Sequence, residues 1–372
     1  MNLDRIRSDV EALASMTRDS AGAGERASAA WLAGRMRAAG AQAEVQPYRG
    51  APTYAHHNAL LAGAALLASF ARAPLRAATA LAALAAWELD ASGRARPLRR
   101  LLPRGEGANV IARVPARGRA NAMLVVVAHH DAARTGLMWS PRMTQAGAKR
   151  HLRRRRVDPF AAPVAAALLA TAAGFKPARA LLAATLALQL DVARSPTVPG
   201  ACDNATGVAT ALELVRQAPF DDVDMVVVLP GGEEAGMEGF AAALRRLDPD
   251  PSTTLVLGLD TLGAGTPIVL GGEGALLEHR YADVDLRIAD EGAALAGEPP
   301  PQRWRIGGWT DPLLALHRGL PTISLLSMGP GYFPHYHHPS DTAGNVDWHS
   351  VECCARIAHG IARAAGRRRV GW

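Results

Sequence analysis

Two adjacent carboxylates, Glu233 and Glu234, follow the apolar run Met225–Leu229 across Pro230-Gly231-Gly232. A run that apolar predicts a buried strand. Two acids at its end are costly to desolvate unless a cation compensates them. Similar groups recur at other predicted element ends: His129-His130-Asp131 after Met123–Ala128, Asp203-Asn204 before a helix, and Asp260 after Leu255–Leu259. A late turn, His335-Tyr336-His337-His338-Pro339, adds imidazoles. Nitrogen and oxygen donors without thiolate suit zinc, with manganese or cobalt as substitutes. Five such ligands, one of them a bridging carboxylate, fit a centre of two ions. The chemistry would be metal-assisted hydrolysis, in which a Lewis acid lowers the pKa of water and a general base takes its proton.

Each group has its own expectation. If the strand continues, His129 and Asp131 share one face at i and i+2, so one can ligate while the other holds the imidazole's second nitrogen; His130 then points away. Asp203 taken alone reads most simply as a helix cap or Asx turn. Gly231-Gly232 permits a sharp turn, after which Glu233 and Glu234 diverge, one toward metal and one toward water. Spacing does not choose among His335, His337 and His338.

The elements that must hold these residues alternate. Helices are predicted over 3–17, 24–40, 207–217, 236–246 and 348–365. Strands are predicted over 43–48, 109–114, 123–128, 225–229, 254–259, 268–270 and 322–326. This pattern predicts a three-layer α/β sandwich whose mixed, mostly parallel central sheet is flanked by helices. Ligands in such sheets bind beyond the carboxyl ends of the strands.

Five blocks, in order, resemble the zinc exopeptidases of the aminopeptidase Y and glutaminyl cyclase type. Val127-Ala128-His129-His130-Asp131 is similar to the family's His-x-Asp, and Asp203-Asn204-Ala205-Thr206-Gly207 to its Asp-Asn-x-Ser-Gly. Glu233-Glu234-Ala235-Gly236-Met237, Leu259-Asp260-Thr261-Leu262-Gly263 and Tyr336-His337-His338-Pro339-Ser340-Asp341-Thr342 resemble its remaining motifs. The resemblance implies two zinc ions, one held by His129 and Asp260, the other by Glu234 and His337, with Asp203 bridging. It implies Glu233 as general base, Asp131 as support for His129, and an eight-stranded mixed sheet. It also implies an aminopeptidase acting on a peptide or aminoacyl substrate. The alternatives are a glutaminyl cyclase-like aminoacyltransferase and a non-catalytic membrane-associated module. Three departures stand out: a long connection between Asp131 and Asp203, His338 in place of the usual Thr, and Pro312 in place of the usual His.

The chain is expected to be one domain over 1–372, with hairpin-bearing insertions at 58–100 and 140–195. Residues 58–90 and 160–193 are Ala/Leu-rich and split by Arg72-Ala73-Pro74 and Gly174-Phe175-Lys176-Pro177. Each reads as a helical hairpin with arms too short to span a bilayer. Three readings stand: a lid over the site, membrane contact, or ordinary core helices. The net charge of +7 concentrates in Arg94–Arg104, Lys149–Arg156 and Arg367–Arg369. These runs read as solvated loops or a surface for anionic lipid, and without interleaved aromatics they do not make a nucleic-acid surface. Three cysteines imply no disulfide framework, and Met1–Gln46 has no apolar signal region; both point to a cytoplasmic protein, with membrane association through the hairpins.

Overall fold

The structure, a computed structural model, describes residues 1–366. The third basic group, Arg367–Arg369, lies outside the described residues. In chain order the elements are α1 (Leu3–Ala14), α2 (Ala23–Ala38), β1 (Gln42–Gly50), α3 (Ala55–Ala68), α4 (Ala73–Ala91), β2 (Gly105–Val114), β3 (Ala122–Val127), α5 (Pro141–Thr144), α6 (Ala148–Arg154), β4 (Arg156–Val157), α7 (Ala162–Ala172), α8 (Ala178–Arg194), α9 (Thr206–Gln217), β5 (Val223–Leu229), α10 (Glu238–Leu247), β6 (Thr254–Leu259), β7 (Thr266–Glu273), β8 (His279–Arg280), α11 (Asp283–Ala296), β9 (Gln302–Ile306), α12 (Pro312–Leu316), β10 (Thr322–Met328) and α13 (Trp348–Ala365).

The strands form one sheet in the order β1-β2-β5-β3-β6-β10-β7-β9-β4, with β8 paired to β7. The centre, β5-β3-β6-β10, is parallel, and β1-β2-β5 and β10-β7 are antiparallel. The mixed three-layer sandwich is therefore as the hydrophobic pattern implies. The sheet has ten strands, not eight; β4 and β8 are pairings of two residues each, too short to leave a periodic signal.

The central strands read as continuous apolar runs because both their faces are covered. One face packs under α1, α2, α9, α11 and α13 through residues such as Leu32, Leu212 and Ile357. The other packs under α10 and α12 through Val125, Val228, Phe240 and Leu314. Helix α11 and strand β9 have no counterpart in the predicted elements. Alanine and glycine on the buried face of α11 (Ala289, Gly292 and Ala293) blur its 3.6-residue period.

Helices α3, α4, α7 and α8 stand apart from the two layers. They pack on one another around Leu61, Trp87, Leu168 and Leu182 and form a cap with a small core of its own. No helix among the described residues is long and apolar enough to cross a membrane.

Candidate metal centre

The parallel centre of the sheet delivers the candidate residues to one edge. His129 and Asp131 follow β3, Glu233 and Glu234 follow β5, Asp260 follows β6, and Asp203 precedes α9. His337 arrives on a later loop between β10 and α13.

Two triads result. His129, Asp203 and Asp260 form one; Asp203, Glu234 and His337 form the other. His129 Nε2 lies 3.3 Å from Asp203 Oδ1 and 3.8 Å from Asp260 Oδ1. His337 Nε2 lies 3.4 Å from Asp203 Oδ2 and 3.0 Å from Glu234 Oε2. Asp203 thus turns one carboxylate oxygen to each histidine. Glu233 also lies close to His129 and Glu234.

The surrounding hydrogen bonds explain why these side chains hold their directions. His129 Nδ1 faces the Asp131 backbone carbonyl at 3.2 Å and its carboxylate at 3.5 Å, which aims Nε2 at Asp203 and Asp260. Asp131 also accepts from Ser20 Oγ (2.7 Å) and from the backbone N–H groups of Glu233 and Glu234 (3.2 Å each). One carboxylate therefore orients the first histidine and pins the loop that carries both glutamates. Gly232 in that loop has φ +65°, the left-handed turn expected of it. His130 points away, toward Ser28 and the carbonyl of Ala108. Its neighbour in space, the fully buried Arg18, donates to the carbonyls of His130, Pro199 and Gly200, joining the end of β3 to the approach to Asp203.

Asp203 does not cap α9. Asn204 takes that part: its Oδ1 accepts from Gly207 N–H (3.1 Å) and Thr261 N–H (3.2 Å). The Asx-turn reading of Asp203 is corrected accordingly, and its carboxylate is left for the histidines. The backbone N–H groups of Cys202 and Asp203 donate to Asp341 at 2.8 and 3.1 Å. Asp341 thereby fixes the backbone at Asp203, a role that neither motif nor spacing assigns to it. His335 and His338 both turn to Ser340 Oγ, so His337 alone of the three faces Asp203 and Glu234. Its ring stacks on Tyr336 (3.8 Å between centroids) and meets the edge of Trp139.

The electrostatics describe a site with excess negative charge. Burial pushes the Glu233 carboxyl well above the usual range; His129 opposes this, and Glu234, Asp311 and Asp260 add to it. Burial favours neutral His337, but Glu234 and Asp203 outweigh it and push the imidazole up to about 10. Burial would raise Asp203, yet His129 and His337 hold it well below the ordinary carboxylate range. The buried Glu234 Oε1, His337 Nδ1 and both Asp311 oxygens have no protein hydrogen-bond partner. Such orphans are costly unless something else engages them. Divalent cations fit this donor set: buried, acidic, imidazole-bearing and free of thiolate. Asp311, next to the departing Pro312, is a site residue that motif spacing passes over.

The cap closes over this edge. A cavity of about 240 Å³ runs between Glu233, Glu234 and His337 on one side and all four cap helices on the other. Tyr54, Trp87, Trp139, Phe160, Leu168 and Trp309 give it mostly apolar walls. The first basic group is not a free solvated loop. Arg99 is buried, donating to Asp90 of α4 (2.6 Å), to the carbonyl of Ala235 (2.6 Å) and to Glu238 (2.9 Å). Arg96 donates to the carbonyl of Gly236 (2.7 Å) and Arg104 to Glu238 (3.0 Å). These arginines tie the base of the cap to the loop that carries the glutamates.

Among known proteins, the model of peptidase family M28 matches residues 186–362. None of the curated protein sequences compared with the chain matches it. The aminopeptidase from Aneurinibacillus sp. strain AM-1 is similar in structure, with 16% identity, a TM-score of 0.58, and 97% of this chain and 93% of that one covered. A zinc aminopeptidase from Bacillus subtilis has 14% identity and a TM-score of 0.58 over 97% and 94% of the two chains. The glutaminyl cyclase from Bacteroides thetaiotaomicron, solved with N-acetylhistamine, has 14% identity and a TM-score of 0.60 over 97% of each chain. At these identities the structural likeness is one of fold. Asp203, Glu233, Glu234, Asp260 and His337 all lie inside residues 186–362, the segment that matches the model of peptidase family M28.

Proposed function

We propose that the chain is a zinc-dependent aminopeptidase. In this reading His129 and Asp260 hold one ion, Glu234 and His337 hold the other, and Asp203 bridges. The observation that carries it is the pair of contacts from Asp203, Oδ1 to His129 and Oδ2 to His337. When bound, the ions supply Lewis acidity to water and to the scissile carbonyl.

The chain's own groups supply the rest. Glu233 takes the proton of the attacking water on its carboxylate as the new C–O bond forms. It delivers that proton to the leaving nitrogen as the C–N bond breaks. Asp131 keeps Glu233 in place through the loop N–H groups and keeps His129 in one tautomer. The cap acts as a lid, and its aromatic wall receives the substrate side chain beside Glu233 and excludes bulk water.

Metal content and a substrate panel test the reading together. The expected results are two zinc ions per chain by elemental analysis, hydrolysis of aminoacyl amides and loss of that hydrolysis on chelation. Asp203→Ala should lower bound zinc well below two, and full occupancy would remove Asp203 from the bridge. Cyclisation of N-terminal glutamine with release of ammonia, with one zinc per chain, would favour the glutaminyl cyclase-like alternative that the shared fold keeps open.

A further inference from the structure

The far ends of the two cap hairpins form a surface that the hydrolase reading leaves unused. Their turns, residues 69–72 and 173–177, lie side by side. Arg179 donates to the carbonyl of Ser69 (2.6 Å) and to its hydroxyl (3.0 Å), and its guanidinium lies 4.0 Å over the ring of Phe70. Arg76 donates to the carbonyl of Thr171 (3.1 Å). These cross-links make the two tips one surface.

That surface is apolar and exposed. Leu67 is 76% exposed, Phe70 68%, Leu75 61% and Phe175 60%, each in or close to one of the two turns. A single exposed leucine needs no explanation; a contiguous group rimmed by charge does. The core of the cap does not use these side chains, since it is filled by Leu61, Trp87, Leu168 and Leu182; Phe70 meets the Arg179 guanidinium at the surface.

The charges around the patch are all of one sign. Arg72, Arg76, Lys176 and Arg179 ring the tips, and no acidic residue occurs between 55 and 87 or between 159 and 190. The acids of these helices, Glu88, Asp90 and Asp191, sit at the opposite ends, beside the body. Aromatic and leucine side chains framed by cations match a lipid interface: the apolar groups enter the headgroup–acyl boundary and the cations meet headgroup phosphates. A second copy of the chain is a poor occupant, because it would set the same four cations against each other.

We propose that the tips of the cap dock on the surface of an anionic lipid bilayer. Insertion is shallow, as the cap helices are too short or too polar to cross. The proposal is independent of the hydrolase reading, and hydrolysis of a small soluble aminoacyl amide by the same variants keeps the two apart.

Co-sedimentation of the full chain with vesicles tests it. One set contains phosphatidylcholine alone, the other equal parts phosphatidylcholine and phosphatidylglycerol. Binding to the mixed vesicles should be at least about tenfold tighter than to the neutral ones and should weaken as salt rises. Phe70→Ser with Phe175→Ser, and separately Arg72→Glu with Lys176→Glu, should each weaken it by about tenfold or more. All four positions are exposed, so unchanged thermal melts are expected; should a variant melt early, the lipid and salt comparisons on the unaltered chain decide alone. Absence of binding to mixed vesicles, equal binding to both sets, or full binding by both well-folded variants would overturn the proposal. So would a lipid-free dimer that the Phe70→Ser, Phe175→Ser variant abolishes, which would make the surface a chain–chain interface.

Discussion

The candidate metal centre and the cap are built in opposite ways. Residues of the centre stand at the ends of buried strands, and a few well-bonded groups set their directions: Asp131 serves His129 and the glutamate loop, and Asp341 serves Asp203. The cap holds four helices around a core in which alanine alternates with a few large side chains, and it exposes much of its remaining apolar surface. Placement within a fraction of an ångström needs a rigid frame, and the sheet provides one. A cap that covers the site needs no such precision. The two meet at Arg99, which bonds α4 and the glutamate loop together.

This contrast can be broken at each of its parts. The largest effect is expected at the centre. Glu233→Gln removes the proton carrier while keeping its shape, so turnover should fall by about 10²–10⁴-fold with zinc content unchanged. Wild-type turnover of aminoacyl substrates would take Glu233 out of the chemistry. The junction comes next. Arg99→Ala strands the buried carboxylate of Asp90 and removes a partner of Glu238, a loss of about 3–5 kcal/mol. Urea unfolding measures it, and a cost under about 1 kcal/mol would mean that solvent replaces the guanidinium there. Leu182→Ala acts inside the cap alone. It should cost about 3 kcal/mol as a local opening, with faster hydrogen exchange in α3 and α8 and unaltered protection in β3, β5 and β6. Loss of protection across the sheet would show that cap and body unfold as one unit.

The same contrast explains what was legible in the sequence. Strands β3, β5 and β6 announce themselves because burial on both faces demands long apolar runs, and the candidate residues sit where those runs stop. Taken alone, Asp203 reads as a cap because a helix does begin there, although its block in the family resemblance makes it the bridge; in the folded chain Asn204 takes the backbone N–H groups. Arg96, Arg99 and Arg104 looked like a solvated run because charge alone does not reveal a partner distant in sequence, here Glu238 and the carbonyls of the glutamate loop. Asp341 and Ser20 act through hydrogen bonds across more than a hundred residues, which no local pattern encodes. The hairpins were plain as helices, but which of their faces is inside depends on packing among alanines, whose small side chains give little contrast.

The smallest expected effect separates the two regions by pH. Glu273, at the end of β7, is fully buried and accepts hydrogen bonds from Tyr281, from Thr310 N–H (2.7 Å) and from Thr310 Oγ1 (3.1 Å). Burial pushes its carboxyl up to about 7, although those bonds pull the other way. The folded state therefore holds this proton more tightly than the unfolded chain, whose glutamates titrate near 4.3. The stability linked to the neutral carboxyl is complete below that value and is lost as pH rises through about 7. Between pH 6 and 8 the loss is about 1–2 kcal/mol. Glu273→Gln keeps a neutral, hydrogen-bonding side chain at all pH values, so the difference in urea midpoint between pH 6 and 8 should shrink by that amount. The apolar cluster inside the cap holds no titratable group, and exchange at Leu168 and Leu182 should respond to pH equally in both proteins. If Glu273→Gln leaves the pH dependence of the body unchanged, the carboxyl is ionised when buried and Tyr281 and Thr310 suffice to hold its charge.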